Sequence, residues 1–172
     1  MLTEHHLVRI DPPTWTIDTS YAAVSLGQSP PATTQVAVRD DCTVVVMAAT
    51  AEGTRFDVYT TDGAPSRSFT LALPWPRNAL FDRDGRLVLD FDVPQPIDLR
   101  LARVNLSLGG LDPAFGDAGL ADLEIPGVDS TPGSVRYARL VAVAPDGSLI
   151  AAVWTEEGQE RTVEYARVLV DD

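Results

Sequence analysis

Residues Leu101–Gly119 read LARVNLSLGGLDPAFGDAG, and this stretch decides the fold. Its first half, Leu101-Ala102-Arg103-Val104-Asn105, has the pattern of a β-strand. Its second half, Leu111-Asp112-Pro113-Ala114-Phe115-Gly116, reads as a tight turn between two apolar anchors. Leu7-Val8-Arg9-Ile10-Asp11 matches the first half, and Ile17-Asp18-Thr19-Ser20-Tyr21 matches the second. Both matches hold one offset, Leu7 to Leu101 and Ile17 to Leu111. A shared offset across unrelated spacers marks an internal repeat.

A hairpin pattern also recurs. Val36–Met47 holds two β-branched runs around a polar break at Arg39–Thr43. The same layout returns at Ala79–Leu89 and at Val141–Ile150. The last two carry Asp84-Gly85 and Asp146-Gly147 at the turn, where a positive φ is wanted. Asp41-Cys42 replaces Asp-Gly in the first, so a looser turn or one of another type is expected there. Further strands are expected at Arg55–Tyr59, leading through a Thr61-Asp62-Gly63 turn to Phe69, at Leu99–Asn105 and at Val163–Val170. Ala166-Arg167-Val168 echoes Ala102-Arg103-Val104. Thirteen prolines and twelve glycines in 172 residues favour such short strands over long helices.

Small antiparallel units of this kind cannot bury an apolar face alone and must stack on neighbours. The expectation is an all-β, propeller-like array of about three short antiparallel units in one domain, at about 7–69, 70–115 and 116–172. Three units are too few to close a ring, for which four to eight blades are usual. An open fan, a ring completed by another chain, or collapse into a sandwich or barrel all remain open.

Leu101–Gly119 resembles the delta-60 repeat, a bacterial propeller-like repeat of the pattern L-A-R-Y-N-x-D-G-x-L-D-x-x-F-G-x-x-G. The matching positions are Leu101, Ala102, Arg103, Asn105, Leu111, Asp112, Phe115, Gly116 and Gly119, with Leu108-Gly109-Gly110 where the repeat usually has Asp-Gly. Val141–Ile150 resembles the strand–Pro-Asp-Gly–strand part. The resemblance is good over 79–170 and faint over 7–69. It implies a propeller-type architecture and no particular activity, so function has to come from a site.

The composition narrows that search. The chain is 45% hydrophobic, enough for a core, and has a formal net charge of −12. An acidic field repels phosphate backbones and anionic membrane surfaces, so neither nucleic acid nor membrane is expected as partner. The acidity keeps a β-rich protein soluble, or it faces a basic partner. The one cysteine excludes an intrachain disulfide and suits a reducing compartment. The N-terminal residues lack a basic and then apolar leader pattern, and no long apolar run occurs, so a cytoplasmic protein is expected.

Candidate chemistry is sparse. Asp82-Arg83-Asp84-Gly85-Arg86 resembles the start of a calcium loop but lacks its third acidic ligand and distant Glu; a hairpin turn with solvated carboxylates explains it. On a strand, Asp90 and Asp92 share one face with Phe91 opposite, either a pair for a metal or basic partner or the wet face. His5 and His6 lack a third ligand. Cys42 has only those histidines as possible bases and reads as inert. No Gly-x-Ser-x-Gly elbow and no phosphate loop occurs. No cofactor is expected.

Trp15, Trp75 and Trp154 are the candidates for stacking on sugars. Trp75 lies between Pro74 and Pro76, whereas Trp154 belongs to a strand and reads as core. Arg9, Arg103 and Arg167 hold equivalent positions and are expected to pair with acids of a neighbouring unit. The leading expectation is a non-catalytic interaction module, an accessory or scaffold subunit using acidic loops and exposed sheet edges toward a protein partner or another copy. Trp75, Asp82, Asp84, Asp90 and Asp92 are the candidate surface residues. A small glycan-binding protein using Trp75, and a hydrolase with an acidic site between units that includes Asp92, are the alternatives.

Overall fold

The computed structural model describes residues 5–11, 14, 16–20, 22, 24–27, 34–92, 99–123, 135–157 and 160–168. All regular elements among them are antiparallel strands, and none of their sheets closes on itself. Among the described residues no helix is long and apolar enough to cross a membrane. The chain divides into two units, 1–74 and 75–172.

In the first unit, β1 (His5–Leu7), β2 (Ile10–Asp11), β3 (Thr16–Ile17) and β4 (Val24–Gly27) form an arm. Strand β1 pairs with β4, and the small ribbon β2–β3 is inserted between them. The chain then forms a four-stranded meander of β5 (Thr34–Val38), β6 (Val44–Thr50), β7 (Gly53–Tyr59) and β8 (Pro65–Leu71). The central run Val44–Ala48 is buried throughout, as expected for an apolar run in an inner strand. Strand β8 is an edge strand and starts on Pro65, where a missing N–H breaks no ladder. Phe69, expected as an anchor, stacks on Phe56 with ring centroids 5.1 Å apart.

In the second unit, β9 (Asn78–Phe81), β10 (Leu87–Phe91), β11 (Leu99–Asn105), β12 (Gly110–Leu111) and β13 (Leu120–Leu123) form one sheet. Strands β14 (Val135–Val143), β15 (Leu149–Glu157) and β16 (Glu160–Val168) form another. Val88, Leu99, Leu101 and Phe115 of the first pack on Ala138, Leu140, Leu149, Ala151 and Val153 of the second. These two sheets are therefore stacked face to face, each supplying the apolar cover the other lacks. The sheets span 34–71, 78–123 and 135–168.

All three expected hairpins are present, as β5–β6, β9–β10 and β14–β15. Their turns are alike in detail. Arg39, Asp82 and Ala144 each donate an N–H to the carbonyl four residues on, at 2.8–2.9 Å. The same three residues accept from the N–H three residues on, those of Cys42, Gly85 and Gly147. The β7–β8 turn, Thr60–Ala64, repeats the pattern with Gly63. This is the three-residue hairpin loop with a left-handed third residue. The first turn is thus neither looser nor of another type: Cys42 itself adopts φ 65° beside 74° at Gly85 and 91° at Gly147.

Candidate functional site

The Leu-Asp-x-x-Phe-Gly-x-x-Gly stretch closes a hook on strand β11. Asp112 N–H donates to the Arg103 carbonyl at 2.8 Å, and Arg103 Nε donates to Asp112 Oδ2 at 3.0 Å. Asp112 Oδ1 accepts from the Ala114 N–H at 3.1 Å, and Arg86 Nη1 donates to Oδ2 at 3.0 Å. Burial pushes the Asp112 carboxyl upward, but the Ala114 N–H and the two guanidiniums outweigh it and hold it below the usual range. The Arg103 guanidinium carbon lies 4.8 Å from the Phe115 ring centroid, a cation–π contact inside the core. The glycines complete the motif. A Cβ on Gly116 would meet the Leu120 carbonyl oxygen at 2.0 Å, and one on Gly119 would meet Leu111 Cβ at 2.5 Å, with φ positive at both.

The arm of the first unit repeats the hook. Asp18 N–H donates to the Arg9 carbonyl at 2.9 Å, and Arg9 Nε donates to Asp18 Oδ2 at 2.8 Å. The Ser20 hydroxyl and Arg9 hold the Asp18 carboxyl down at about 2. Arg167 occupies the register of Arg103, opposite Ile150 where Arg103 is opposite Val88. It pairs with Asp146 and donates from Nε to the Ser148 hydroxyl at 2.8 Å. All three arginines therefore bond to acids of their own sheet or arm, which corrects the expectation of pairing with a neighbouring unit. The cause is reach: each acid sits on a turn at the end of the arginine's own or adjacent strand.

The five candidate surface residues have separate roles. Asp82 is half-buried and its Oδ1 accepts from the Asp84 N–H at 3.0 Å and the Arg86 N–H at 2.8 Å, so it builds the turn. Burial raises its pKa. Asp84 is exposed and pairs with Arg86 at 2.6 Å. Asp90 does not lie on a wet face: it is 0% exposed. Its Oδ1 accepts from the Asn78 N–H at 2.5 Å and its Oδ2 from the Leu140 N–H at 2.7 Å, while Asn78 Nδ2 donates to the Leu140 carbonyl at 2.5 Å. Asp90 thereby ties the two sheets of the second unit together. Burial pushes its carboxyl upward, against the two backbone donors. Asp92 is exposed, bonded to Arg77 and, at 2.5 Å, to Arg139 Nη2 of the adjacent sheet.

Trp75 is half-buried in the link before β9, next to a buried Pro76 and an exposed Pro74. Trp154 is part-exposed on a strand that continues to Glu157, not in the core as expected. Trp15 lies outside the described residues. Among the described residues no group of three His, Cys, Asp or Glu is placed to hold a metal ion. The structure does not gather the five candidates into one site.

What sequence reasoning missed is the outer face of the β14–β15–β16 sheet. Tyr137, Trp154 and Val163 stand side by side across its three strands, and Arg139, Ala152 and Tyr165 form the next row. Tyr165 is 74% and Val163 44% exposed. The available signal was the apolar alternation Val163, Tyr165 against Thr162, Glu164, which does not say whether a face is covered. No protein-family model matches the chain, and no curated protein matches it.

Proposed function

We propose that this chain is a non-catalytic β-repeat module of the delta-60, propeller-like kind, working in the cytoplasm as an accessory or scaffold subunit through protein–protein contact. The observation that carries the reading is the outer face of the 135–168 sheet, where two tyrosines, a tryptophan and a valine lie together in or near solvent. Tyr and Trp are the residues that concentrate binding energy at protein interfaces. The acids that a hydrolytic site would need support the same reading. Asp82, Asp90, Asp92 and Asp112 are each engaged by backbone donors or arginines. The test is native purification of the tagged protein from its source cells beside a Tyr165→Glu variant. The reading expects proteins retained by the native chain and lost with the variant. An identical set with both, or hydrolase turnover by the purified chain, contradicts it.

A further inference from the structure

Within the second unit, register equates the two sheets position by position. Arg103 is opposite Val88 as Arg167 is opposite Ile150, so Leu99, Arg100, Leu101 and Ala102 correspond to Val163, Glu164, Tyr165 and Ala166. On the first sheet this stretch is also paired on its far side. Strand β13 runs antiparallel to it, with Leu123 opposite Leu99, Asp122 opposite Arg100, Ala121 opposite Leu101 and Leu120 opposite Ala102. On the second sheet β15 is the one strand paired with β16 among the described residues.

The main chain of β16 is set for a further strand. Arg103 shows which way the groups at its register point. Its N–H donates to the Gly119 carbonyl at 3.0 Å and its carbonyl accepts from the Asp112 N–H at 2.8 Å, both on the side away from β10. Arg167 holds the same register, and Val163 and Tyr165 alternate in step with it, so their N–H and carbonyl groups face away from β15. Among the described residues no hydrogen bond reaches these groups of Val163 and Tyr165.

The side chains define what such a strand carries. On β13, Ala121 and Leu123 pack on the apolar core, and Asp122 accepts from Arg100 Nε at 2.5 Å and Nη2 at 2.6 Å. Glu164 stands where Arg100 stands, so the charge is inverted. Glu164 is exposed and enters no ion pair among the described residues. Arg167 is already engaged by Asp146, which leaves Glu164 as the charge to be matched. Val163 and Tyr165, 44% and 74% exposed, replace Leu99 and Leu101 and call for apolar residues opposite them.

Resting on the interaction-module reading, we infer that β16 takes an extended segment of a partner protein as a further antiparallel strand. That segment has Lys or Arg opposite Glu164 and apolar residues on either side of it. Its main chain pairs with Val163 and Tyr165, its apolar side chains cover theirs, and its cation selects it. The net charge of −12 draws a basic segment to the edge.

The experiment uses two end-blocked synthetic peptides, one with the sequence of residues 118–123 and one with the same sequence carrying Asp122→Arg. Each is titrated to millimolar concentration into the isotope-labelled native chain and into a Glu164→Arg variant, followed by amide NMR. The arginine peptide should shift the amides of Val163, Tyr165 and Arg167 and bind the native chain roughly fivefold more tightly than the aspartate peptide, because a cross-strand charge pair decides between them. Glu164→Arg should reverse the preference. No movement along 162–168 with either peptide overturns the inference, as do equal affinities or a preference that Glu164→Arg leaves unchanged. Any of these results leaves the interaction-module reading standing if Tyr165→Glu still strips proteins in the native purification, so the two fail separately.

Discussion

In the sheet of residues 78–123, Leu99 and Leu101 are fully buried; at the same register in the sheet of residues 135–168, Val163 and Tyr165 stand in solvent. The first sheet has a further strand beyond β11, paired from Leu99–Leu123 to Ala102–Leu120. Among the described residues the second stops at β16, a nine-residue strand at the edge of its sheet. Asp90 on the first, tied to the Leu140 backbone, corresponds to Ala152 on the second. The difference teaches that the repeat specifies its own hairpins completely, while its faces and edges are finished only by a neighbour. Long exposed edges are templates for pairing, and here the apolar positions that are covered on the first sheet are retained on the second as Val163 and Tyr165.

The largest expected effect comes from making the first sheet resemble the second. Asp90→Ala leaves two buried N–H groups without an acceptor and should cost about 3 kcal/mol of stability. Denaturant unfolding measures it, and the loss should be accompanied by faster amide exchange in β14. A cost near zero would mean that the tie between these sheets is dispensable.

Next in size is the paired comparison of Arg103→Met with Arg167→Met. Arg103 is buried against Asp112 and Phe115, so its loss should cost about 2 kcal/mol, with Arg86 remaining on Asp112 to soften the effect. Arg167 is more than half exposed, and its loss should cost less than about 0.5 kcal/mol. Equal costs would erase the distinction between closed and open sheets.

A smaller effect is expected at the shared turn. Cys42→Gly relieves a left-handed φ and should gain up to about 1 kcal/mol, whereas Gly85→Ala should lose a similar amount. Thermal melts of the two variants should therefore move in opposite directions.

The smallest effect is a pH dependence that separates arm from sheet. Asp18 is held at about 2, below its ordinary 3.8. Its contribution is complete above the ordinary value and disappears as pH falls through about 2. Asp90 is raised, so its titration favours the fold below 3.8 and the benefit is lost as pH rises through the raised value. Carboxyl carbon NMR titrations should place Asp18 below and Asp90 above the ordinary midpoint.

Much of the fold was legible because hairpin turns announce themselves. Asp84-Gly85 and Asp146-Gly147 locate two of them from residue types alone. Cys42 concealed the third turn's type, since cysteine carries no preference for the conformation it adopts. Strand β8 escaped because Pro65, Ser66, Arg67 and Ser68 are polar or turn-forming, as an exposed edge strand permits. The hook was legible as a motif but not as geometry: nothing in the spacing of Arg103 and Asp112 says that both are buried. Asp90 is the sharpest failure, because an Asp alternating with Phe91 looks like a wet face until Leu140, fifty residues later, supplies its donor. The open face was invisible for the converse reason. Val163 and Tyr165 look like core, and only the absence of a covering sheet among the described residues makes them surface.

The most direct measurement is residue-resolved hydrogen exchange of β11 and β16, at a concentration where the chain is monomeric. The account predicts protection along the whole of 100–104, which is bonded on both sides. It predicts alternate protected and rapidly exchanging amides along 160–168, where β15 is the one strand paired with β16 among the described residues. Continuous protection of β16 in the monomer would contradict it, because the repeat would then be closed at the end this structure leaves open.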